Sequence, residues 1–120
     1  MNTDKPKFDL EERTLEYAKK VIRLCKKIPR SPINNRLIDQ IIGSSGSIGA
    51  NYREANDSLG RKDFFCRIKI SRKESKETLY WLELIKEAND FLENDIDILI
   101  QETSEYKNIF SSILKKEKIS

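Results

Sequence analysis

Apolar residues recur at spacings of three and four in four separate segments of this chain, and short runs of turn-forming residues separate the segments. That spacing is the period of an amphipathic helix, so the pattern predicts helices at about 10–27, 33–56, 61–89 and 95–116. Short connections favour antiparallel neighbours. The predicted fold is therefore all-α, an up-down-up-down antiparallel four-helix bundle that forms one domain over residues 1–120.

Residues at the predicted helix ends suit caps and stops. Asp9 followed by Glu12 is typical of a capping box. Pro29 and Pro32 are expected to stop the first helix, since proline lacks a backbone donor. Asn94 or Asp95 is expected to cap the last helix. In the first helix, the recurring residues that we expect to face the core are Leu15, Ala18, Ile22 and Cys25.

The predicted second helix contains three glycines in the run Gly43–Gly49, and each interior glycine costs about 1 kcal/mol relative to alanine. The spacing matches neither a phosphate-binding P-loop nor a dinucleotide fingerprint. We interpret the run as a place where another helix approaches closely. If helices two and three form a hairpin, Ser45 and Gly49 should face Ser71 and Ser75 on the third helix.

The third helix carries a second set of apolar residues, on the side away from its predicted core: Ile70, Trp81, Leu84 and Phe91. A helix that is apolar on two sides is normally buried on two sides. These residues are therefore predicted to form a subunit interface in a homo-oligomer. The alternative is that a terminal segment of the same chain folds over Trp81.

Charge is distributed unevenly along the chain. Residues 1–76 hold 18 basic and 10 acidic residues, a net charge of +8, whereas residues 77–120 hold 5 and 10, a net charge of −5. Such asymmetry indicates either an anionic partner or an acidic last helix that packs against basic earlier ones. The densest basic segment is 61–76, and we take Lys62, Arg67, Lys69 and Lys73 as candidate nucleic-acid-binding residues.

The chain contains no histidine, which removes the commonest general base and the Glu-x-x-His motif of ferritin-like metal bundles. Cys25 and Cys66 form no CxxC pair and are expected to be reduced packing residues. Glu74 and Glu77 lie one turn apart but are expected to form ordinary ion pairs. We therefore expect no catalytic residues, metal or cofactor.

The runs SSGSIGANYREA from Ser44 and KESKETLYWL from Lys73, with Asp63-Phe64 between them, resemble the bacterial four-helix bundle proteins named after intervening sequences in 23S rRNA genes. This resemblance implies a ring-like homopentamer with no established enzymatic activity. The family is similar to the accessory variability determinant proteins of diversity-generating retroelements, basic pentamers that bind nucleic acid and a reverse transcriptase.

These features together favour a non-enzymatic homo-oligomer, of five subunits by resemblance. We expect it to bind RNA or DNA without sequence specificity through basic residues of helices one and three. The alternative is a scaffold that docks another protein, such as a reverse transcriptase, and binds no nucleic acid. With no apolar run long enough to span a membrane and no secretory signal, the protein is expected in the bacterial cytoplasm.

Overall fold

The computed structural model describes residues 9–119, so residues 1–8 and 120 of the predicted domain lie outside it. The described chain forms four α-helices, and 3₁₀ turns follow α3 and α4. The helices are α1 Leu10–Lys27, α2 Pro32–Asn56, α3 Arg61–Ala88 and α4 Glu93–Lys115. No strand occurs between residues 9 and 119, which confirms the all-helical class. None of the described helices has the length and apolar character needed to cross a membrane.

Capping contacts explain where the first two helices begin. Asp9 accepts a hydrogen bond of 3.1 Å from the backbone N–H of Glu12, as the sequence predicts. Ser31 caps α2 in the same way through the N–H of Asn34, at 3.0 Å. Pro32, expected as a stop for α1, also occupies the first position of α2, where its missing N–H leaves no hydrogen bond unmade.

The start of α4 differs from the prediction. Neither Asn94 nor Asp95 caps this helix, which begins at Glu93 without a side-chain hydrogen bond to its first N–H groups. The chain leaves α3 through a 3₁₀ turn in which the Leu92 N–H donates to the Asn89 carbonyl, at 2.9 Å. Because this turn continues directly into α4, backbone geometry and the burial of Leu92 set the helix start.

Each helix runs antiparallel to the next one in the chain, and α1 also runs antiparallel to α4. Contacts between the helices fix these directions, since residue numbers rise along one helix as they fall along its neighbour. The contacts are Glu11–Asn56 and Thr14–Gly49 for α1 and α2, Ser71–Ile48 and Thr78–Ser44 for α2 and α3, Lys86–Asp97 and Arg61–Lys116 for α3 and the α4 region, and Arg13–Glu105 and Lys27–Asp95 for α1 and α4.

Side chains from all four helices close one hydrophobic core. The apolar side chains with no exposed surface are Tyr17, Val21, Ile41, Ile48, Ile68, Leu82, Ile85, Ile96, Tyr106 and Phe110. The rings of Tyr17 and Tyr106 meet edge to face, with centroids 5.1 Å apart. The Tyr17 hydroxyl donates to Thr103, whose own hydroxyl donates to the Leu99 carbonyl. The core therefore satisfies its buried hydroxyls while burying aliphatic side chains worth roughly 1.5–3 kcal/mol each.

The side of α1 that faces the core is not the predicted one. Leu15 and Ile22 are 39% and 45% exposed, whereas Thr14, Tyr17 and Val21 are buried. Both sets of residues satisfy helical spacing, so periodicity alone cannot choose between them. The large Tyr17 side chain finds ring and hydroxyl partners on α4, and this decides the orientation.

The two cysteines are free thiols in different surroundings. Cys25 is half-buried beside the core, and burial raises the pKa of its thiol to about 11, so it is a packing residue as predicted. Cys66 is exposed on α3, so a packing role for it stays a prediction about the subunit interface. It precedes Ile70 by one helical turn and lies on the same side of α3.

Small polar side chains bring α2 and α3 close together. The Ser71 hydroxyl donates to the Ile48 carbonyl at 2.9 Å, and a 2.8 Å hydrogen bond joins the hydroxyls of Thr78 and Ser44. Ser75 is fully buried in the same contact zone and donates to its own helix. The predicted crossing through small residues is thus present, and its hydroxyls are paired.

Gly49 lies against α1 and not against α3, where the prediction placed it. A Cβ built on Gly49 would lie 2.6 Å from Thr14 Oγ1 and 2.9 Å from Thr14 Cβ. Successive residues of a helix point about 100° apart, so Gly49 faces a different neighbour from Ile48, which meets α3. Because α2 is continuous through the glycine-rich run, that run is no phosphate-binding loop.

The glycines of α2 give a test of this packing. Gly49→Ala should lower the free energy of unfolding by roughly 1–3 kcal/mol, because the new methyl group overlaps Thr14. Gly43→Ala is the matched control: its Cβ position has no atom within 4 Å, so it should gain up to about 1 kcal/mol in helix propensity. Urea denaturation followed by circular dichroism measures both, and equal stabilities for the two variants would contradict the close α1–α2 contact.

Candidate nucleic-acid and subunit interfaces

Four lysines line the outward side of α3. Lys62, Lys69, Lys73 and Lys76 are all exposed, and their spacings of seven, four and three place them on one side of the helix. We call this set the basic face of α3. At 1.5 Å per residue it extends for about 21 Å along the helix, which is the length of several nucleotides.

Most of the basic face has no acidic partner within the described chain. Lys69 lies 3.4 Å from a Glu117 carboxylate oxygen, in the turn that follows α4. Among residues 9–117, no carboxylate lies within ion-pair distance of Lys62, Lys73 or Lys76. The positive charge of these three lysines therefore faces solvent.

Arg67, the fourth candidate from the sequence, is not part of this face. It precedes Lys69 by two positions, and residues two apart on a helix do not share a side. Its guanidinium donates a 2.9 Å hydrogen bond to the Asn51 side chain of α2. The structure thus brings Lys62, Lys69 and Lys73 together and places Arg67 at the α2–α3 boundary.

Half of the basic residues of α1 have acidic partners on α4. Lys20 contacts Glu102 at 3.1 Å, Lys27 contacts Asp95 at 2.9 Å, and Arg13 bonds Glu105. Arg13 also lies over the Tyr106 ring, 4.9 Å from its centroid. Exposed pairs of this kind are worth about 0–1 kcal/mol each, and they account for part of the charge asymmetry within the fold.

Tyr106 and Glu102 form the most buried part of this α1–α4 contact. The Tyr106 hydroxyl donates to Glu102, and it also lies 3.2 Å from the Arg13 backbone carbonyl. Burial first, and then the hydrogen bond to Glu102, raise the pKa of Tyr106. Burial also raises the pKa of the Tyr17 phenol. Both phenols therefore stay protonated at neutral pH and act as structural donors.

The predicted interface residues lie on the surface of α3 and of the turn after it. Ile70 and Trp81 are half-buried, Leu84 is 37% exposed and Phe91 is 66% exposed. We call these four the apolar stripe of α3. The turn after α4 lies near the start of α3, where its Lys116 carbonyl accepts a hydrogen bond from Arg61, and so does not fold over Trp81. The other terminal segment, residues 1–8, lies outside the described range.

Glu74 and Glu77 interrupt the apolar stripe. They lie one turn apart between Ile70 and Trp81, and neither forms an ion pair within the described range, contrary to the expectation from the sequence. Burial and the neighbouring Glu77 raise the pKa of the Glu74 carboxyl, while Lys73 lowers it. The pair is a feature of the surface around Trp81.

Sequence reasoning missed a groove between α1 and α2. It has a volume of about 210 Å³, and its lining includes Leu15, Ala18, Gly46, Ala50 and Arg53. We call it the α1–α2 groove. The sequence could have indicated this groove. Leu15 and Ala18, which were assigned to the core, line it, and a helix with two apolar sides leaves one of them exposed.

Tyr80 is a second feature that the sequence did not single out. Its side chain is 61% exposed, and it lies one turn beyond Lys76, at the end of the basic face. Its ring meets Trp81 edge to face, with centroids 5.2 Å apart. An exposed aromatic ring next to lysines could have been identified from the spacing Lys73–Lys76–Tyr80 alone.

The chain is similar to known proteins over nearly its whole length. Residues 7–112 match the family model described as 23S rRNA-intervening sequence protein. A crystal structure of a protein with unknown function from the S23 ribosomal protein family of Bacteroides thetaiotaomicron is 31% identical, with a TM-score of 0.76 over 88% of this chain and 97% of the other. None of the curated proteins matches. The chain therefore belongs to the 23S rRNA-intervening sequence protein family.

Proposed function

We propose that this protein is a non-enzymatic, cytoplasmic homo-oligomer that binds nucleic acid without sequence preference through the basic face of α3. The observation that carries the proposal is the row of exposed lysines, three of which have no acidic partner in the described chain. Lysine ammonium groups bind phosphates as point charges and do not distinguish bases. No base-reading motif accompanies them, which favours binding to the phosphate backbone.

Self-association would strengthen this activity. A single row of three or four lysines binds a phosphate chain weakly, because each contact mainly replaces condensed counterions. Several copies of the row in one assembly act on the same strand at a high effective concentration. The proposal therefore joins the two surfaces of α3: the apolar stripe supports assembly, and the basic face binds the ligand.

A scaffold function is the second candidate, and the apolar stripe is the observation that favours it. Exposed apolar surface of this kind serves protein contacts as readily as self-association. In that case the basic face binds no nucleic acid and is simply solvated. A protein partner, such as the reverse transcriptase implied by resemblance, then binds to the oligomer. Binding measurements with nucleic acid separate the two functions.

The purified protein should have a mass several times the 14.1 kDa of one chain at micromolar concentration, because a monomer leaves the apolar stripe in water. Multi-angle light scattering measures this mass directly. Five subunits would match the family resemblance. A mass near 14.1 kDa would contradict assembly, and a stable dimer would contradict the pentamer alone.

Wild-type protein should bind both single-stranded and duplex oligonucleotides at low salt, with affinity that falls steeply as salt rises. The variant Lys62→Glu/Lys69→Glu/Lys73→Glu should lose this binding, since three phosphate contacts per subunit are replaced by repulsion. In wild type, each phosphate contact contributes about 0.7–0.9 to the slope of log affinity against log salt. Fluorescence anisotropy with labelled oligonucleotides of unrelated sequence, measured at several salt concentrations, gives both quantities.

A matched control has the same change in net charge on α1. Lys19→Glu/Arg23→Glu/Lys26→Glu reverses three exposed cations that lie away from the basic face of α3, and it should retain most of the affinity. Equal losses in both triple variants would show that net charge, and not the face, governs binding. Wild type that fails to bind even at low salt would favour the scaffold function.

A further inference from the structure

We propose that a cleft between α1 and α4 binds a small amphipathic carboxylate, a monoanion whose apolar body is about the size of one aromatic ring. The cleft has a volume of about 190 Å³, and all the residues that line it belong to these two helices. We call it the α1–α4 cleft. Because it includes no residue of α3, the proposal depends neither on nucleic-acid binding nor on assembly.

Three aliphatic side chains form the apolar part of the α1–α4 cleft. Leu24 and Leu99 are 3% and 5% exposed and form its floor, which is continuous with the core. Ile98 lines the same cleft, but its side chain is 64% exposed. A protein cavity of about 150 Å³ lined by aliphatic side chains holds one benzene molecule. The cleft therefore has space for one ring, or for a short alkyl chain, that would cover Ile98.

Arg23 provides a cation that no side chain of the described chain neutralises. Lys20, Arg23 and Lys27 all line the cleft, and their spacings of three and four place them on one side of α1. Acidic side chains of α4 already pair with Lys20 and Lys27. No carboxylate of residues 9–117 lies within ion-pair distance of Arg23. Its planar guanidinium matches the two oxygens of a carboxylate and can donate to both.

The charge balance of the cleft selects a monoanion. Its three cations are accompanied by two carboxylates, Asp95 and Glu102, which leaves a net charge of +1. One carboxylate ligand neutralises that charge. A phosphate monoester carries about −1.5 to −2 at neutral pH, so its second charge would lie near Asp95 without a free cation. A neutral ligand would leave Arg23 unpaired.

The neighbouring part of the α1–α4 surface sets the direction of the ligand. Beyond Ile98 this surface is acidic, because three carboxylates outnumber the two cations that line it. Its charged residues are Arg13, Glu16, Lys20, Glu102 and Glu105. Like charges repel an anion from this part of the surface. The ligand carboxylate must therefore lie at Arg23, with the apolar body over Leu24 and towards Ile98.

Nuclear magnetic resonance titration of the whole protein with phenylacetate tests the site. Phenylacetate should shift the methyl resonances of Leu24, Ile98 and Leu99, with a dissociation constant of about 1 mM. Phenylacetamide has the same shape without the charge, and acetate has the charge without the ring. Each should bind about 5- to 10-fold more weakly than phenylacetate, because each loses one of the two contacts. Phenyl phosphate should also bind more weakly, because of its second charge.

Variants at exposed positions separate the two contacts. Arg23→Gln should weaken phenylacetate binding about 5- to 10-fold and leave phenylacetamide binding unchanged. Lys26→Gln is the matched control, since it removes an exposed cation of α1 that does not line the cleft, and it should bind like wild type. Ile98→Ser should weaken the binding of both ligands. Ile33→Ser, a change at an equally exposed isoleucine of α2, should affect neither.

Four results would each overturn the proposal. They are methyl resonances that do not move at ten times the expected dissociation constant, equal affinities for phenylacetate and phenylacetamide, equal losses in Arg23→Gln and Lys26→Gln, and tighter binding of phenyl phosphate than of phenylacetate. The variant Lys62→Glu/Lys69→Glu/Lys73→Glu should bind phenylacetate like wild type, because no residue of α3 lines the cleft. A protein that binds phenylacetate but no oligonucleotide would therefore overturn the proposed function and support this site.

Discussion

The close contact between α2 and α3 is the constraint on which the rest of the structure depends. Two hydrogen bonds join the helices: the Ser71 hydroxyl donates to the Ile48 carbonyl, and the hydroxyls of Thr78 and Ser44 bond each other. A crossing this close leaves no space between the helices for large side chains. The larger apolar residues of α3 must therefore lie either in the core, as Leu82 does, or on the surface, as Leu84 does.

Helix number, class and approximate bounds followed from the sequence because long periodic segments carry redundant signals. The core side of α3 was predicted from the same signals, and Ser71 and Ser75, which were expected to face α2, are fully buried. The core side of α1 could not be predicted, because Leu15 and Tyr17 belong to two equally regular apolar sets. Only the partners of Tyr17 on α4 distinguish the sets, and such partners are not visible in one segment of sequence.

The sequence also could not predict which residues of neighbouring helices lie opposite each other. Asn34 and Asn89 exchange hydrogen bonds of 3.0 and 2.9 Å in the interior, and so join the start of α2 to the end of α3. Nothing in the spacing of these two residues predicts that they meet. The wrong partner predicted for Gly49 has the same cause. Pairing residues across the α2–α3 hairpin is accurate only to about one residue, and a shift of one residue turns a side chain by about 100° around the helix. The same error affects candidate site residues: Arg67 was grouped with the lysines of α3 but lies at the α2–α3 boundary.

The position of each charge in the fold says more about the binding surfaces than the net charge of a segment does. Half of the basic residues of α1 pair with the acidic α4, so the net charge of the front part of the chain is larger than the charge that is free to bind a ligand. On α3 the lysines lie on one side and the apolar stripe on an adjacent side, with Glu74 and Glu77 along the stripe. A contact that covers the stripe would therefore leave the lysines in solvent. Assembly and nucleic-acid binding then use different sides of one helix, so each subunit added to the assembly also adds a basic face.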